Sequence, residues 1–579
     1  MAPSVTSVDT GPHTRKETAK YEPAYRWLRW LCRSITLALG AASTWAVRST
    51  MYPDGVSYLD IGDAFWRGNW HAAVNAYWSP LYPLVLGLFL KLFRPTIRWE
   101  YPLVHLVNFV MFVVGFLCFE FFLTTFLEQQ GRGHARNSET EMNLPDWAWL
   151  VVGYFVFVAS SLLLITMSFV SGDMIVAAVI YLASALISKL RRGDSTWRTW
   201  AVLGVVLGVG YLAKAVMFLM SVGFIAVAAA TQKTKAKKIR IAAISGLFFL
   251  LAAGPFAFLL SVVKGRPTFG DSGKINYLMN VGTTQFFIPH EPGSKHPVHQ
   301  LSALPHAYEY SSPIAGTYPL WYDPSYWHEG IRPHVDFKRQ IRTALLAGAE
   351  CAWIAFSPFV GLGISVAILF LYLVAPSIGR CFSTASRQWE LWVPALSGIA
   401  LYSLVVIEPR YVAAQFCLLW IVGFSGVRLP ASAISRRMIT GAVLAVVLFV
   451  CLATTWQISQ AVNGRMFAQK DIATPECVEV AEALVANGIR PEDKIAVLSN
   501  WLFPSRQGAY IARLAHVGII AEARPDEYWA ADRETRSELR SEFSRAGAKA
   551  VLTYKPLGSE DGWTRLGGTN YYVQFLTSN

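Results

Sequence analysis

Apolar runs separated by short polar connections recur along most of this chain. They cover Trp27 to Val47, Leu103 to Leu127, Trp147 to Met167, Met174 to Ile187, Trp200 to Ala213, Val216 to Ala230, Ile241 to Val263, Leu345 to Val374, Leu391 to Ile407, Val412 to Val427 and Ile439 to Thr454. Many approach the roughly 20 helical residues that cross a hydrocarbon core about 30 Å thick, so the pattern predicts about 11 transmembrane helices. The run Leu81 to Phe93 is shorter and opens with Pro80 and Pro83, which predicts an interfacial or re-entrant helix.

Past Trp456 the pattern changes. Short apolar segments, Ile495 to Leu498, Gly518 to Ala521 and Ala550 to Thr553, alternate with helical patterns at Pro475 to Asn487, Arg506 to Ala515 and Arg533 to Ala546. That alternation predicts a small α/β domain. It has no glycine-rich strand-to-helix loop, so nucleotide binding there is unsupported.

The basic connections set the orientation. Lys189, Arg191, Arg192 and Arg198, the cluster Lys233 to Arg240, and Arg428, Arg436 and Arg437 fall between apolar runs and mark the cytoplasmic side. Counting Leu81 to Phe93 as a span would turn Lys233 to Arg240 outward, against that rule. The expected organisation is a cytoplasmic tail (1–26), a membrane domain (27–456) with outer loops at 51–100 and 264–342, and an extracytoplasmic α/β domain (457–579). The expected location is the cytoplasmic (inner) membrane, multi-pass, with the N-terminus inside and the C-terminus outside.

Composition agrees: 54% of the 579 residues are apolar and 15% charged, against roughly 25% charged in soluble domains. The net charge of +13 does not indicate nucleic acid, because no basic segment is interleaved with stacking aromatics. The seven cysteines are scattered singly, which indicates neither a metal site nor a disulfide framework.

The candidate chemistry lies at the outer ends of spans. Asp54 follows the first run, with Tyr58 four positions on; Asp60 and Asp63 would share a helical face. Asp54 is equally read as a helix cap, Asp173 in Ser171-Gly172-Asp173 as a helix breaker, Lys214 as a lysine reaching lipid head groups, and Arg410 as the partner of Glu408. His105, Glu120 and Glu350 are weaker signals; Asp271, Lys274 and Asn276 lie in an aromatic-rich outer loop that includes Trp321-Tyr322.

These positions resemble the membrane-embedded glycosyltransferases of the GT-C type, which include protein mannosyltransferases and the lipid A aminoarabinose transferases (glycosyltransferase family 39-like). The resemblance runs from the first span to Tyr411. It rests on Asp54 with Tyr58, on Asp173 in the next outer turn, on Lys214 after the glycine-rich stretch Gly204 to Gly210, and on Glu408-Pro409-Arg410-Tyr411. Mannosyltransferases of this type usually carry Asp-Glu at the first site, whereas Gly55 follows Asp54 here.

The resemblance implies a polyprenyl-phosphate sugar as donor, a lipid, glycan or protein acceptor, membrane lipids around the bundle, and inversion at the anomeric carbon. Asp54 is then the expected general base. Lys214 and Arg410 are expected to stabilise the departing phosphate, and Asp173, Tyr58 and Glu408 to contact the donor. No cofactor or metal is expected, since no Asp-x-Asp pair stands in the outer loops. Competing readings are a lipid-linked polysaccharide ligase or polymerase, with its essential residues in Lys264 to Arg342, and a transporter or flippase, with its charges near the bilayer midplane.

Overall fold

The computed structural model describes residues 25–134, 141–282, 293–310, 316–464, 473–499, 506–555 and 562–576. It is a mostly helical membrane protein. Five of its helices are long and apolar enough to cross a membrane: Ile97–Gln130, Asp146–Ile165, Asp173–Arg191, Lys235–Lys264 and Ala433–Val462. Four shorter apolar helices accompany them, Leu81–Phe93, Trp197–Ala213, Met217–Ala230 and Leu362–Leu373.

Burial separates the bundle's centre from its rim. The apolar stretches of Asp146–Ile165 and Asp173–Arg191 are 94% and 83% buried by their neighbours, whereas that of Lys235–Lys264 is only 17% buried. The outer helix therefore turns Leu247, Leu250, Leu251 and Phe258 outward, where lipid replaces protein. Between the central helices, Phe112, Phe119, Phe157 and Tyr181 are fully buried and pack ring against ring. Two charges inside the apolar zone answer each other: Arg33 donates to Glu120 at 2.7 Å, the arrangement that makes an intramembrane charge tolerable.

The expected continuous span Leu345 to Val374 is instead two helices, Phe337–Phe356 and Leu362–Leu373. Pro358 is the physical reason. It disfavours helical backbone at the residue before it, and Ser357 is extended (φ −65°, ψ 134°).

Nine strands occur among the described residues. β1 (Glu141–Met142) pairs with β4 (Leu429–Pro430). The others form one sheet: β2 (His299–Ala303), β3 (His306–Glu309), β5 (Lys494–Leu498), β6 (Gly518–Ala523), β7 (Ala550–Tyr554), β8 (Thr564–Arg565) and β9 (Tyr571–Phe575), in the order β2-β3-β6-β5-β7-β9-β8. The three central strands, β6, β5 and β7, are parallel. Their near-continuous apolar sequences suit burial on both faces.

One face carries the helices Glu476–Ala486 and Arg506–Leu514, and the other Arg533–Arg545. The hairpin β2-β3 comes from the loop between Lys235–Lys264 and Phe337–Phe356 and is annexed to β6 by antiparallel pairing of Ala307 with Ala523. The sheet is thus built jointly by that loop and the C-terminal segment. Its lower core is continuous with Val56, Leu59, Tyr82 and Tyr101 of the membrane domain.

Candidate active site

The helix Pro53–Trp66 begins just after the helix Arg26–Val47. Pro53 occupies its first turn, where a missing N–H costs nothing, and Tyr52 is the capping position. Asp54 therefore does not cap the helix. It lies in the first turn, where the helix dipole favours an anion. The helix packs backbone to backbone on Leu81–Phe93: a Cβ on Gly62 would sit 2.6 Å from the Pro83 carbonyl oxygen, and one on Gly87 would sit 2.5 Å from that of Gly62.

A second element brings Asp173. The helix from Asp146 ends in a π-helical segment, Ala159–Ile165, and the chain then runs without helix to Gly172. Two side chains of Ile97–His134 pin this turn. The His105 ring lies 3.0 Å from the Met167 carbonyl and 2.8 Å from that of Thr50, and Asn108 donates to the Phe169 carbonyl at 3.1 Å. His105 is thus a satisfied structural residue. Gly172 lets the turn close on the end of Trp197–Ala213, for a Cβ there would meet the Ala213 carbonyl oxygen at 2.9 Å.

That approach sets Asp173 against Lys214, whose Nζ donates to Oδ1 at 2.5 Å, while Ser171 donates to Oδ2 at 2.8 Å. Lys214 does not reach for head groups. Its ammonium sits 3.6 Å from the centroid of the Tyr411 ring.

Arg410 joins the pieces. Its guanidinium donates from Nε to Glu408 at 2.6 Å and lies 3.6 Å from Asp54 Oδ2 and 3.8 Å from Asp173 Oδ2. It is stacked over Phe169 at 4.5 Å, and Phe169 in turn stacks on Tyr52. Asp54, Asp173, Lys214, Glu408 and Arg410 are therefore one cluster, with three carboxylates against two cations. Arg410 is 10% exposed and Asp173 3%, but Glu408 is 40% exposed and forms the rim.

Tyr58 stands beside this cluster rather than in its hydrogen-bond network, edge-on to Trp78 and Tyr82 at 5.0 and 5.2 Å. Burial, reinforced by Asp54 and Asp173, pushes its phenol well above the usual range, so it is a neutral hydroxyl. Glu350 is half-buried, and Glu120 belongs to the pair with Arg33.

Of the candidates in the loop after Lys264, Asn276 accepts from Tyr77 at 3.5 Å, and Asp271 pairs with Arg266. Lys274 is half-buried near that pair, and burial lowers its pKa.

The sequence reading missed Trp321. Its indole N–H donates to Asp54 Oδ1 at 3.1 Å, and its carbonyl accepts from Ser57 at 2.9 Å and Trp78 at 3.1 Å. An aromatic wall of Tyr77, Trp78 and Trp321 closes that side, with ring centroids 4.6 to 5.7 Å apart. The aromatic run around Trp321 was the available signal, but nothing local assigns it a partner 267 residues away.

No family model matches the sequence, and no curated protein matches it. Solved structures do. The chain is similar to ArnT from Cupriavidus metallidurans in the apo state, with TM-score 0.54 at 12% identity over 96% of this chain and 98% of that one. It is likewise similar to the same protein bound to undecaprenyl phosphate, with TM-score 0.51 at 12% identity over 96% and 99%. The chain has a GT-C-like fold.

Proposed function

We propose that this protein is a membrane glycosyltransferase that moves a sugar from a polyprenyl-phosphate carrier to an acceptor hydroxyl at the outer face of the cytoplasmic membrane, with inversion. The observation that carries the reading is the convergence of Asp54 with Lys214 and Arg410, a base candidate beside two cations, on a chain that shares its fold with a protein solved in complex with undecaprenyl phosphate. Fold supplies only part of this reading, because one architecture hosts many chemistries.

In the proposed reaction the acceptor oxygen attacks the anomeric carbon while the bond from that carbon to the phosphate oxygen breaks. Asp54 takes the acceptor's proton, a contribution of typically about 10² to 10⁴ in rate. The Trp321 indole fixes Oδ1 of Asp54, which leaves Oδ2 toward Arg410 and the reacting centre. The leaving polyprenyl phosphate needs no proton but gains charge, which Arg410, itself 10% exposed, and Lys214 offset.

The resting cluster has one more carboxylate than cations, so an anionic donor must displace a pairing. Glu408 is the exchangeable partner, being the most exposed of the three. As the phosphate arrives, Glu408 yields Arg410 and becomes free to accept from sugar hydroxyls. Tyr58 and the Tyr77, Trp78 and Trp321 rings offer apolar faces to the sugar. Asp173 holds Lys214 in place.

The test is sugar transfer in proteoliposomes. Wild type and Asp54→Asn, matched for expression and folding, are offered a panel of radiolabelled polyprenyl-phosphate sugars with a membrane extract as acceptor. Transfer by wild type that falls at least a hundredfold in Asp54→Asn supports the reading. Transfer untouched by the substitution removes Asp54 as the base and turns the search to Lys264 to Arg342.

A further inference from the structure

Helix Pro53–Trp66 carries two more carboxylates, Asp60 and Asp63, and both point away from the cluster toward the C-terminal α/β segment. There they meet Arg513, from the helix Arg506–Leu514. The guanidinium donates to Asp60 Oδ1 at 2.9 Å, Asp63 Oδ2 at 2.7 Å and Glu100 Oε1 at 2.8 Å. Arg513 is 4% exposed, Asp60 7% and Glu100 3%, so the centre of the junction is buried, with Asp63 at its edge.

Asp60 has a second set of partners. It accepts from the backbone N–H of Thr317 at 2.6 Å and from the Thr317 hydroxyl at 2.9 Å. Thr317 opens the short segment that includes the helix Pro319–Tyr322, and that helix holds Trp321, the donor to Asp54. The Ile519 N–H of β6 also donates to the Thr317 carbonyl at 2.9 Å. One arginine of the C-terminal segment thus fixes both partners of a single catalytic contact: the helix bearing Asp54 directly, and the segment bearing Trp321 through Asp60.

We infer that Arg513 is a positioning residue for Asp54, through which the C-terminal α/β segment sets the reactive orientation of the base. Three carboxylates surround one guanidinium, and His516 lies 3.6 Å from Glu100. Removing Arg513 leaves two almost fully buried carboxylates, Asp60 and Glu100, without the cation that holds them together, and their repulsion acts on the helix that carries Asp54. Displacements of about 1 Å at a reacting group cost on the order of 10² in rate.

Because the kinetic readout rests on the proposed transfer reaction, it is paired with one that does not. Full-length wild type, Arg513→Gln, Arg513→Lys and Asp63→Asn are compared in nanodiscs by sugar-transfer kinetics and by hydrogen exchange. In Arg513→Gln, exchange is expected to quicken about tenfold in 53–66 and 317–322 while β5 and β7 keep their protection. The expected kinetic signature is kcat lowered on the order of tenfold to a hundredfold, with donor KM within about twofold of wild type.

Arg513→Lys recovers part of kcat, since a cation remains between the carboxylates. Asp63→Asn stays near wild type, because Asp63 is 26% exposed and Asp60 still binds Arg513. Wild-type kcat and exchange in Arg513→Gln overturn the inference, as does an exchange increase spread evenly over the sheet, which would make Arg513 a general fold residue. If wild type transfers no sugar, the proposed function fails, and the exchange data still decide whether Arg513 orders the helix of Asp54.

Discussion

The indole nitrogen of Trp321 lies 3.1 Å from Oδ1 of Asp54 and donates to it. A hydrogen bond to a charged group is worth about 1.5 to 3 kcal/mol, so Trp321→Phe keeps the aromatic wall and removes that amount of orientation from the proposed base. Steady-state transfer assays are expected to give kcat lower by roughly tenfold to a hundredfold with donor KM nearly unchanged. A Trp321→Phe enzyme with wild-type kcat would show that the contact does not orient the reacting carboxylate.

Arg410 makes its contacts from several faces of one planar group: Glu408, Asp54, Asp173 and the Phe169 ring. A lysine keeps the charge but not the fork or the stack. Arg410→Lys is therefore expected to retain the fold and lose on the order of 10² in kcat/KM. Arg410→Met should also cost about 3 to 5 kcal/mol of stability, since a 3% exposed Asp173 loses one of its two cations. Thermal unfolding in detergent beside the transfer assay separates the two effects. Equal activity of Lys and Arg at 410 would contradict a role that depends on geometry.

Glu408 tests the exchange of partners. Neutralising it in Glu408→Gln weakens the competitor for Arg410, so donor KM is expected to fall severalfold, on the order of 1 kcal/mol of pairing between partly exposed charges. Donor KM that rises instead would assign Glu408 to direct sugar contact without the displacement step.

What the sequence made legible follows from physical range. Charges at the ends of apolar runs stand out against their surroundings, so Asp54, Asp173, Lys214, Glu408 and Arg410 could be picked individually, and the structure brings all five together. The strands β5, β6 and β7 fall within two residues of the predicted segments because apolar runs bounded by turns are local signals. Partners across the chain were not legible. Trp321 reaches Asp54 over 267 residues and Arg513 reaches Asp60 over 453, and no periodicity encodes such contacts. The hairpin β2-β3 escaped for the same reason, since its strands owe their pairing to β6, far along the chain. The break at Ser357 was encoded locally in Pro358, but the apolar run on either side masked it.

Gly62 offers a test of packing at the base of the site. A methyl there would meet the Pro83 carbonyl oxygen at 2.6 Å and the Gly87 nitrogen at 3.0 Å, and both are backbone atoms that cannot rotate away. Gly62→Ala is expected to cost about 1 to 3 kcal/mol as the helices Pro53–Trp66 and Leu81–Phe93 are forced apart. Gly223→Ala is the control, for nothing lies within 4 Å of its added methyl, and alanine there is expected to be neutral or to stabilise by up to about 1 kcal/mol. Unfolding midpoints that shift equally in the two variants would show that the close approach contributes nothing.

Glu522 predicts how the sheet responds to pH. Its carboxyl is 1% exposed on β6 and accepts from Ser499 at 3.0 Å, Tyr310 at 3.0 Å and Tyr318 at 3.4 Å. Burial pushes its pKa up to about 7, while those hydroxyls pull it down. The folded protein therefore holds a proton that the unfolded chain, titrating near 4.5, has already released. Stability from this group is complete below about pH 4.5 and is lost as pH rises through 7, by about 3 kcal/mol in all. Glu522→Gln keeps the shape without the titration, so its stability should be flatter between pH 5 and 8 than that of wild type. Hydrogen exchange of β5 and β6 across that range reads the difference locally, by comparison of wild type with Glu522→Gln. Parallel pH slopes in wild type and Glu522→Gln would mean that the carboxyl ionises no differently in the sheet than in the unfolded chain.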